Sequence, residues 1–238
     1  MALPKVASVK FDLTVPSTKK VIRFRPFVVS EEKALLIAME SKDPSQMAKT
    51  MNEVVSACIE DEETQISKLP FFDAEFIFLN LRAKSVGEKV NLQYRHVDSV
   101  NLKGEKCDAI TKIEIDLEHI KVNFPENHTS TIALTDTMGI KMKYPTLNDI
   151  ISMKESSTSV EIDLIAKCID CVYVGNEVHS PDDLADSKKF LESLTTLQFS
   201  KISAFFETMP KVKHVLEYDC SGCGQHDTVT LEGTADFF

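Results

Sequence analysis

Four residues stand at spacings that could hold a metal ion. His96 ends the stretch Leu92-Gln93-Tyr94-Arg95-His96, and Cys107 follows after ten intervening residues, leading into Ile113-Glu114-Ile115. Cys220 ends Leu216-Glu217-Tyr218-Asp219-Cys220, and Cys223 follows across Ser221-Gly222, leading to Val229-Thr230-Leu231. Imidazole nitrogen and thiolate sulfur are ligands that suit Zn2+, and three sulfurs with one nitrogen make a closed tetrahedral set. Two thiols at Cys-x2-Cys spacing beside a glycine can grip one ion from a tight turn. The gap between His96 and Cys107 exceeds the roughly two to four residues usual within a zinc pair. The same residues therefore also fit two ordinary hairpins whose thiols stay reduced and unliganded. A complete Cys3His set leaves no coordination position for water, so the expected Zn2+ would be structural rather than catalytic.

The elements around these residues must bring two distant stretches together. Both alternate apolar and polar residues before the first ligand and after the second, which predicts half-buried strands and a β-hairpin with ligands at each tip. The chain opens with a further hairpin, alternating at Val9, Phe11, Leu13 and Val15, turning over Pro16 to Lys20, and returning over 21–27 with Val21, Phe24 and Phe27 as the apolar positions. Ser30, followed by Glu31 and Glu32, reads as the start of a helix. Asp43-Pro44 starts a second, on whose apolar stripe Met47, Met51, Val54, Val55, Cys58 and Ile59 recur. Cys58 is thus expected to be a core thiol.

Residues 70–86 form a helix apolar nearly all round, suited to the interior. Segments 121–124, 131–134 and 140–144 read as one antiparallel run, followed by helices over 146–155 and 161–169. Cys168-Ile169-Asp170-Cys171 repeats the Cys-x2-Cys spacing without a turn glycine, and reads as core thiols at a helix-to-strand join. A small hairpin over 175–179 and helices over 184–194 and 199–209 lead to the last hairpin. The expected class is α+β, with helices packed on antiparallel β-hairpins and a zinc-ribbon-like hairpin pair. The chain divides as 1–86 and 87–238, or runs as one continuous domain.

Composition narrows the function. The 238 residues are 43% hydrophobic, enough for a substantial core, and carry a formal charge of -10. That charge argues against non-specific binding to nucleic acid or to an anionic membrane. Seven glycines give little material for a phosphate-cradling loop, and no apolar run reaches the length of a membrane span. The start, Met1 to Val6, lacks the apolar core of a signal peptide, so a reducing cytoplasm is expected. There the six cysteines imply metal ligation or buried thiols rather than disulfides. No Walker loop, dinucleotide glycine motif, nucleophile elbow or His-Glu-x-x-His is present, and the histidines are scattered, so no enzymatic activity is expected.

Two surfaces suit protein contact. Arg23, Arg25 and Phe27 lie on a basic opening strand, and Phe237 and Phe238 end the chain either as a candidate aromatic hook or folded back on the domain. Leu13 to Lys19, Arg23-Phe24-Arg25-Pro26-Phe27-Val28, Glu31 to Glu40, Leu79 to Gly87, and Cys220-x2-Cys223 with Asp236-Phe237-Phe238 resemble the base plate hub proteins of T4-type contractile-tailed bacteriophages. The resemblance implies a hub subunit or hub assembly factor that works by protein–protein binding. It implies other phage tail proteins as partners, without nucleic acid or small-molecule substrate, and a place in the tail base plate or in the host cytoplasm during assembly. It implies no catalytic residues. The competing readings are a zinc-ribbon nucleic-acid-associated factor and a hydrolase with an unrecognised acidic cleft.

Overall fold

The structure, a computed structural model, describes residues 8–61, 63–96, 107–153 and 160–237. Its first hairpin joins β1 (Phe11–Thr14) to β2 (Val21–Phe24), with Phe11 opposite Phe24 and Asp12 opposite Arg23. The return strand runs in a different phase from the one the sequence suggests. Ile22 and Phe24 face the core, while Val21 is 59% exposed. Pairing of Phe24 with Phe11, rings 5.8 Å apart, sets that register, and a one-residue slip would turn both apolar side chains outward.

Helix α1 (Val29–Ser41) ends at Lys42 in the left-handed conformation, and α2 (Pro44–Cys58) follows at once. Asp43 caps α2, its Oδ1 accepting from Ser45 N–H at 2.9 Å, with Pro44 in the first turn where no donor is lost. The predicted stripe of α2 is the buried one: Met51, Val54, Val55 and Cys58 all lie in the core. Burial pushes the Cys58 thiol up to about 12, as expected of a core residue.

Helix α3 (Phe71–Val86) is the axis of the molecule. It gives Ala74, Ile77, Phe78 and Leu81 to one apolar cluster, shared with β1, β2, α1 and α2. It gives Leu79 and Ala83 to a second cluster, shared with the two long hairpins. A helix apolar on nearly every side is stable only when enclosed in this way.

The first long hairpin pairs β3 (Lys89–Arg95) with β4 (Ile110–Asp116). Next comes β5 (Lys121–Asn123), which does not join the strands after it. It pairs antiparallel with a strand near the far end of the chain, where Val122 faces Val212. The sequence reading of 121–144 as one antiparallel run is corrected here. Burial of Val122 in the second cluster decides the partner, and alternation alone carries no such information.

Strands β6 (Thr131–Ala133), β7 (Met138–Met142), β8 (Ile169–Val174) and β9 (Glu177–His179) form a four-stranded antiparallel sheet in that order. Between β7 and β8 run α4 (Leu147–Ile151), capped by Thr146 with Asp149, and α5 (Val160–Lys167). Helices α6 (Leu184–Glu192) and α7 (Thr196–Thr208) cover this sheet and complete a third cluster with Ile140, Ile165, Leu191, Ile202 and Phe205. Phe72 of α3 reaches it through Tyr144, ring centroids 5.3 Å apart, and Tyr144 stacks on Phe205 at 5.7 Å. The last hairpin pairs β10 (Lys211–Asp219) with β11 (His226–Glu232), so that β5, β10 and β11 make one sheet.

Candidate metal centre

Each half of the centre is a hairpin tip. In the first, β3 delivers His96 at its end, and His96 N–H donates to Ala109 O at 3.0 Å, extending the ladder towards Cys107. In the second, Cys220 N–H donates to Gln225 O and Gly224 N–H to Cys220 O, both at 2.8 Å, closing a tight turn. Gly224 sits at φ 71°, a backbone region that costs other residues strain.

Three contacts lock the tips against each other. Tyr94 of β3 stacks on Tyr218 of β10, centroids 5.7 Å apart and planes 25° from parallel. Ser221 N–H donates to Thr111 Oγ1 at 3.0 Å, and the Ser221 hydroxyl donates to Ile110 O at 3.2 Å. Gly222 lets the turn lie directly on the returning strand of the other hairpin. A Cβ there would stand 2.5 Å from Ala109 Cβ and 3.4 Å from Cys107 Sγ.

The result is a cluster of His96, Cys107, Cys220 and Cys223 whose ligand atoms all lie within 4.8 Å of one another. Cys107 Sγ is 3.7 Å from Cys220 Sγ, and Cys223 Sγ is 3.4 Å from His96 Nδ1. Zn–S bonds of about 2.3 Å and Zn–N bonds of about 2.0 Å at tetrahedral angles place two sulfurs about 3.8 Å apart, and sulfur and nitrogen about 3.5 Å apart. These two separations match one tetrahedral ion, and the donor set is of the type Zn2+ takes. No disulfide competes: all six cysteines are free, and the 3.7 Å between Cys107 Sγ and Cys220 Sγ is far beyond the roughly 2 Å of a sulfur–sulfur bond.

The electrostatics favour at least one thiolate. The backbone N–H of Cys223, then that of Gly222, points at the Cys220 sulfur. With further help from the Cys223 and His96 side chains they bring its thiol down to about 6, against the cost of burial. Cys107 moves the other way. The Ala109 N–H draws it down, but burial and the neighbouring Cys220 and Cys223 sulfurs push it up by more. Three thiol sulfurs and an imidazole nitrogen, with one anionic sulfur already favoured, are the starting state a thiolate-binding ion requires.

The other singled-out residues lie elsewhere. Cys168 is fully buried at the join of α5 and β8, burial pushing its thiol up to about 12, and Cys171 is half-buried beside it. Neither joins a metal-type cluster among the described residues. His226, next to the second tip, is turned to Asp219, Nδ1 to Oδ1 at 3.0 Å.

On the opening hairpin Arg23 is exposed and pairs with Asp12 at 2.8 Å. Arg25 is committed internally. Its guanidinium forms a two-point pair with Glu31 at 2.8 and 3.0 Å and donates to Ala57 O at 3.0 Å, tying the start of α1 to the end of α2. Phe27 is half-buried against the first cluster, and its N–H donates to Ser85 Oγ at 2.9 Å. Of the two alternatives for the tail, Phe237 takes the folded-back one: its ring is fully buried in the second cluster because the tail turns back after β11. Phe238 lies outside the described residues. Sequence reasoning missed the Thr111–Ser221 clasp. The matching offset of Tyr94 and Tyr218, each two residues before a ligand, was the available signal for the stack.

Fold and site together define an α+β protein in which two hairpins from distant parts of the chain meet at a closed four-ligand cluster. The chain belongs to the T4 bacteriophage base plate protein family, whose profile matches residues 6–238. No curated protein and no solved structure matches the chain. No helix among the described residues is long and apolar enough to cross a membrane.

Proposed function

We propose that the protein is a component, or an assembly factor, of the central hub of the phage tail base plate, that it acts by binding other tail proteins and not as an enzyme, and that its cluster holds one Zn2+. The observation that carries this reading is the match of nearly the whole chain to the base plate family, residues 6–238. The geometry of the cluster supports it. Four protein ligands fill a tetrahedral ion's coordination shell, so the ion would brace the hairpins and leave no site for water or substrate. Helix α1 adds a further support. It turns Val29, 81% exposed, with Leu36 and Ile37, towards solvent while Leu35 and Ala38 face the core. Exposed apolar side chains of this kind are what a protein partner covers. On the opening hairpin the accessible contact residue is Arg23, beside exposed Val21.

The test is a phage carrying an amber codon in this gene. In a non-suppressing host it should accumulate incomplete base plates without tails, and normal tails would contradict the reading. Tracing the chain in electron-microscopy maps of mature tails then separates the two roles. Density for it identifies a retained subunit, and its absence from otherwise complete tails identifies an assembly factor.

A further inference from the structure

A pocket of about 430 Å3 opens between α1, α2, α3, α4 and the turn after β11, and it shares no residue with the four-ligand cluster. Its walls are apolar and adaptable, built from Met39, Met47, Met51, Phe71 and Ile150. Unbranched thioether side chains mould to varied apolar shapes, which suits a binding cleft better than a fixed core. Three carboxylates line the space, Asp43, Glu75 and Glu232, and Glu75 is the buried one, only 7% exposed.

Glu75 has one protein hydrogen bond among the described residues, and none of them pairs its charge directly. Its Oε1 accepts the Thr234 N–H at 3.1 Å, and no hydrogen bond to Oε2 is present among the described residues. The cation that acts on it, Lys211, is already held by Glu232 at 2.6 Å. Lys42 lies on the pocket wall and makes no ion pair with it, and the Asp43 carboxylate is used in capping α2. Burial, with the nearby Glu232 charge, pushes the Glu75 carboxyl up to about 7. A carboxylate in such a place costs folding free energy unless something pairs with it.

We propose that this pocket receives a basic side chain, lysine or arginine, carried on an apolar segment of a partner protein. The aliphatic stem would lie along Met39, Met47 and Phe71, and the cationic head would meet Glu75. Lysine and arginine are the side chains that combine a long apolar stem with a charged end. The chain's formal charge of -10 favours a basic partner segment at long range as well. An anionic ligand would meet Glu75 and Glu232 head on. A neutral apolar ligand would bury the carboxylate further without pairing it.

Full-length protein carrying 13C-methyl methionine tests this by NMR, with acetyl-Leu-Lys-Leu-amide as probe and acetyl-Leu-Gln-Leu-amide as its uncharged counterpart. The lysine peptide should shift the Met39 and Met47 methyl signals saturably, and the glutamine peptide should bind at least about 10-fold more weakly, the scale of one desolvated charge pair. Glu75→Gln keeps the acceptor for Thr234 N–H and should bring the lysine peptide down to the level of the glutamine peptide. Met39→Lys, at a half-exposed position, should block the lysine peptide by supplying a tethered amine, which keeps the test open should Glu75→Gln not fold. Equal binding of the two peptides, the absence of saturable shifts, or a charge preference that survives Glu75→Gln would each overturn the proposal. None of these outcomes depends on the hub reading.

Discussion

At the scale of single residues, Gly222 carries a sharp consequence. With 2.5 Å between its position and Ala109 Cβ, Gly222→Ala must push the two tips apart, because the obstacle is close to backbone and cannot rotate away. Overpacking of this kind costs about 1–3 kcal/mol, and here it would also lengthen the Cys107–Cys220 separation. Thermal unfolding should show the lower stability, and metal retention during dialysis should fall with it. A Gly222→Ala protein as stable and as metal-retentive as the parent would contradict the close approach.

Glu75 gives a pH signature with a definite sign. Its carboxyl moves from an ordinary 4.5 to about 7 in the folded chain. The folded state therefore holds a proton that the unfolded state releases between those values. Stability from this group is present below about 4.5 and is lost as pH rises through about 7, a swing on the order of 3 kcal/mol. Glu75→Gln removes the dependence, so its melting temperature should exceed the parent's at pH 8 and approach it at pH 5. Parallel melting curves at both pH values would show that Glu75 is ionised in the fold throughout.

At the scale of elements, the two long hairpins are held by a clasp that can be measured without metal. Tyr94→Ala and Tyr218→Ala, singly and together, should show a coupling of about 0.5–1.5 kcal/mol in unfolding experiments, the scale of a stacked aromatic pair. Additive effects would mean that the stack does not join the hairpins. This clasp also shows how far the sequence was legible. Period-two alternation announced β3, β4, β10 and β11, and the 3.6-residue stripe announced α2, since each pattern follows from burial on one face. The ligand set at the tips was readable because residue type restricts metal chemistry so strongly.

What alternation does not encode is partner choice. β5 looked like its neighbours β6 and β7, yet its place beside β10 depends on Val122 and Val212 sharing a cluster across a long separation in sequence. The phase of β2 was misread for a related reason. Val21 and Ile22 are both apolar, and only the tertiary position of Phe24 decides which faces inward. The burial of Phe237 was an open choice in sequence, because a terminal aromatic buries equally well on its own fold or on a partner.

At the scale of the whole molecule, α3 and the cluster perform complementary tasks. α3 joins the first and second apolar clusters, and Phe72 extends it to the third. An ion held at the cluster would tie a hairpin beginning near residue 89 to one ending near residue 232, a long loop closure whose fixing would add stability by restricting the unfolded chain. For a base plate protein this suggests a rigid body that offers fixed surfaces to its neighbours. Chelation should therefore lower the melting temperature of the whole chain in one transition, and a change confined to local signals around Tyr94 and Tyr218 would contradict that long-range role.

His96, Cys107, Cys220 and Cys223 should hold one ion between the hairpins. Metal analysis of gently purified protein tests it most directly, alongside Cys220→Ser prepared in the same way. About one equivalent of zinc per chain, lost in the variant, is the predicted result. Less than about half an equivalent in the parent, with the fold intact, would contradict it and leave four reduced or neutral side chains packed without metal.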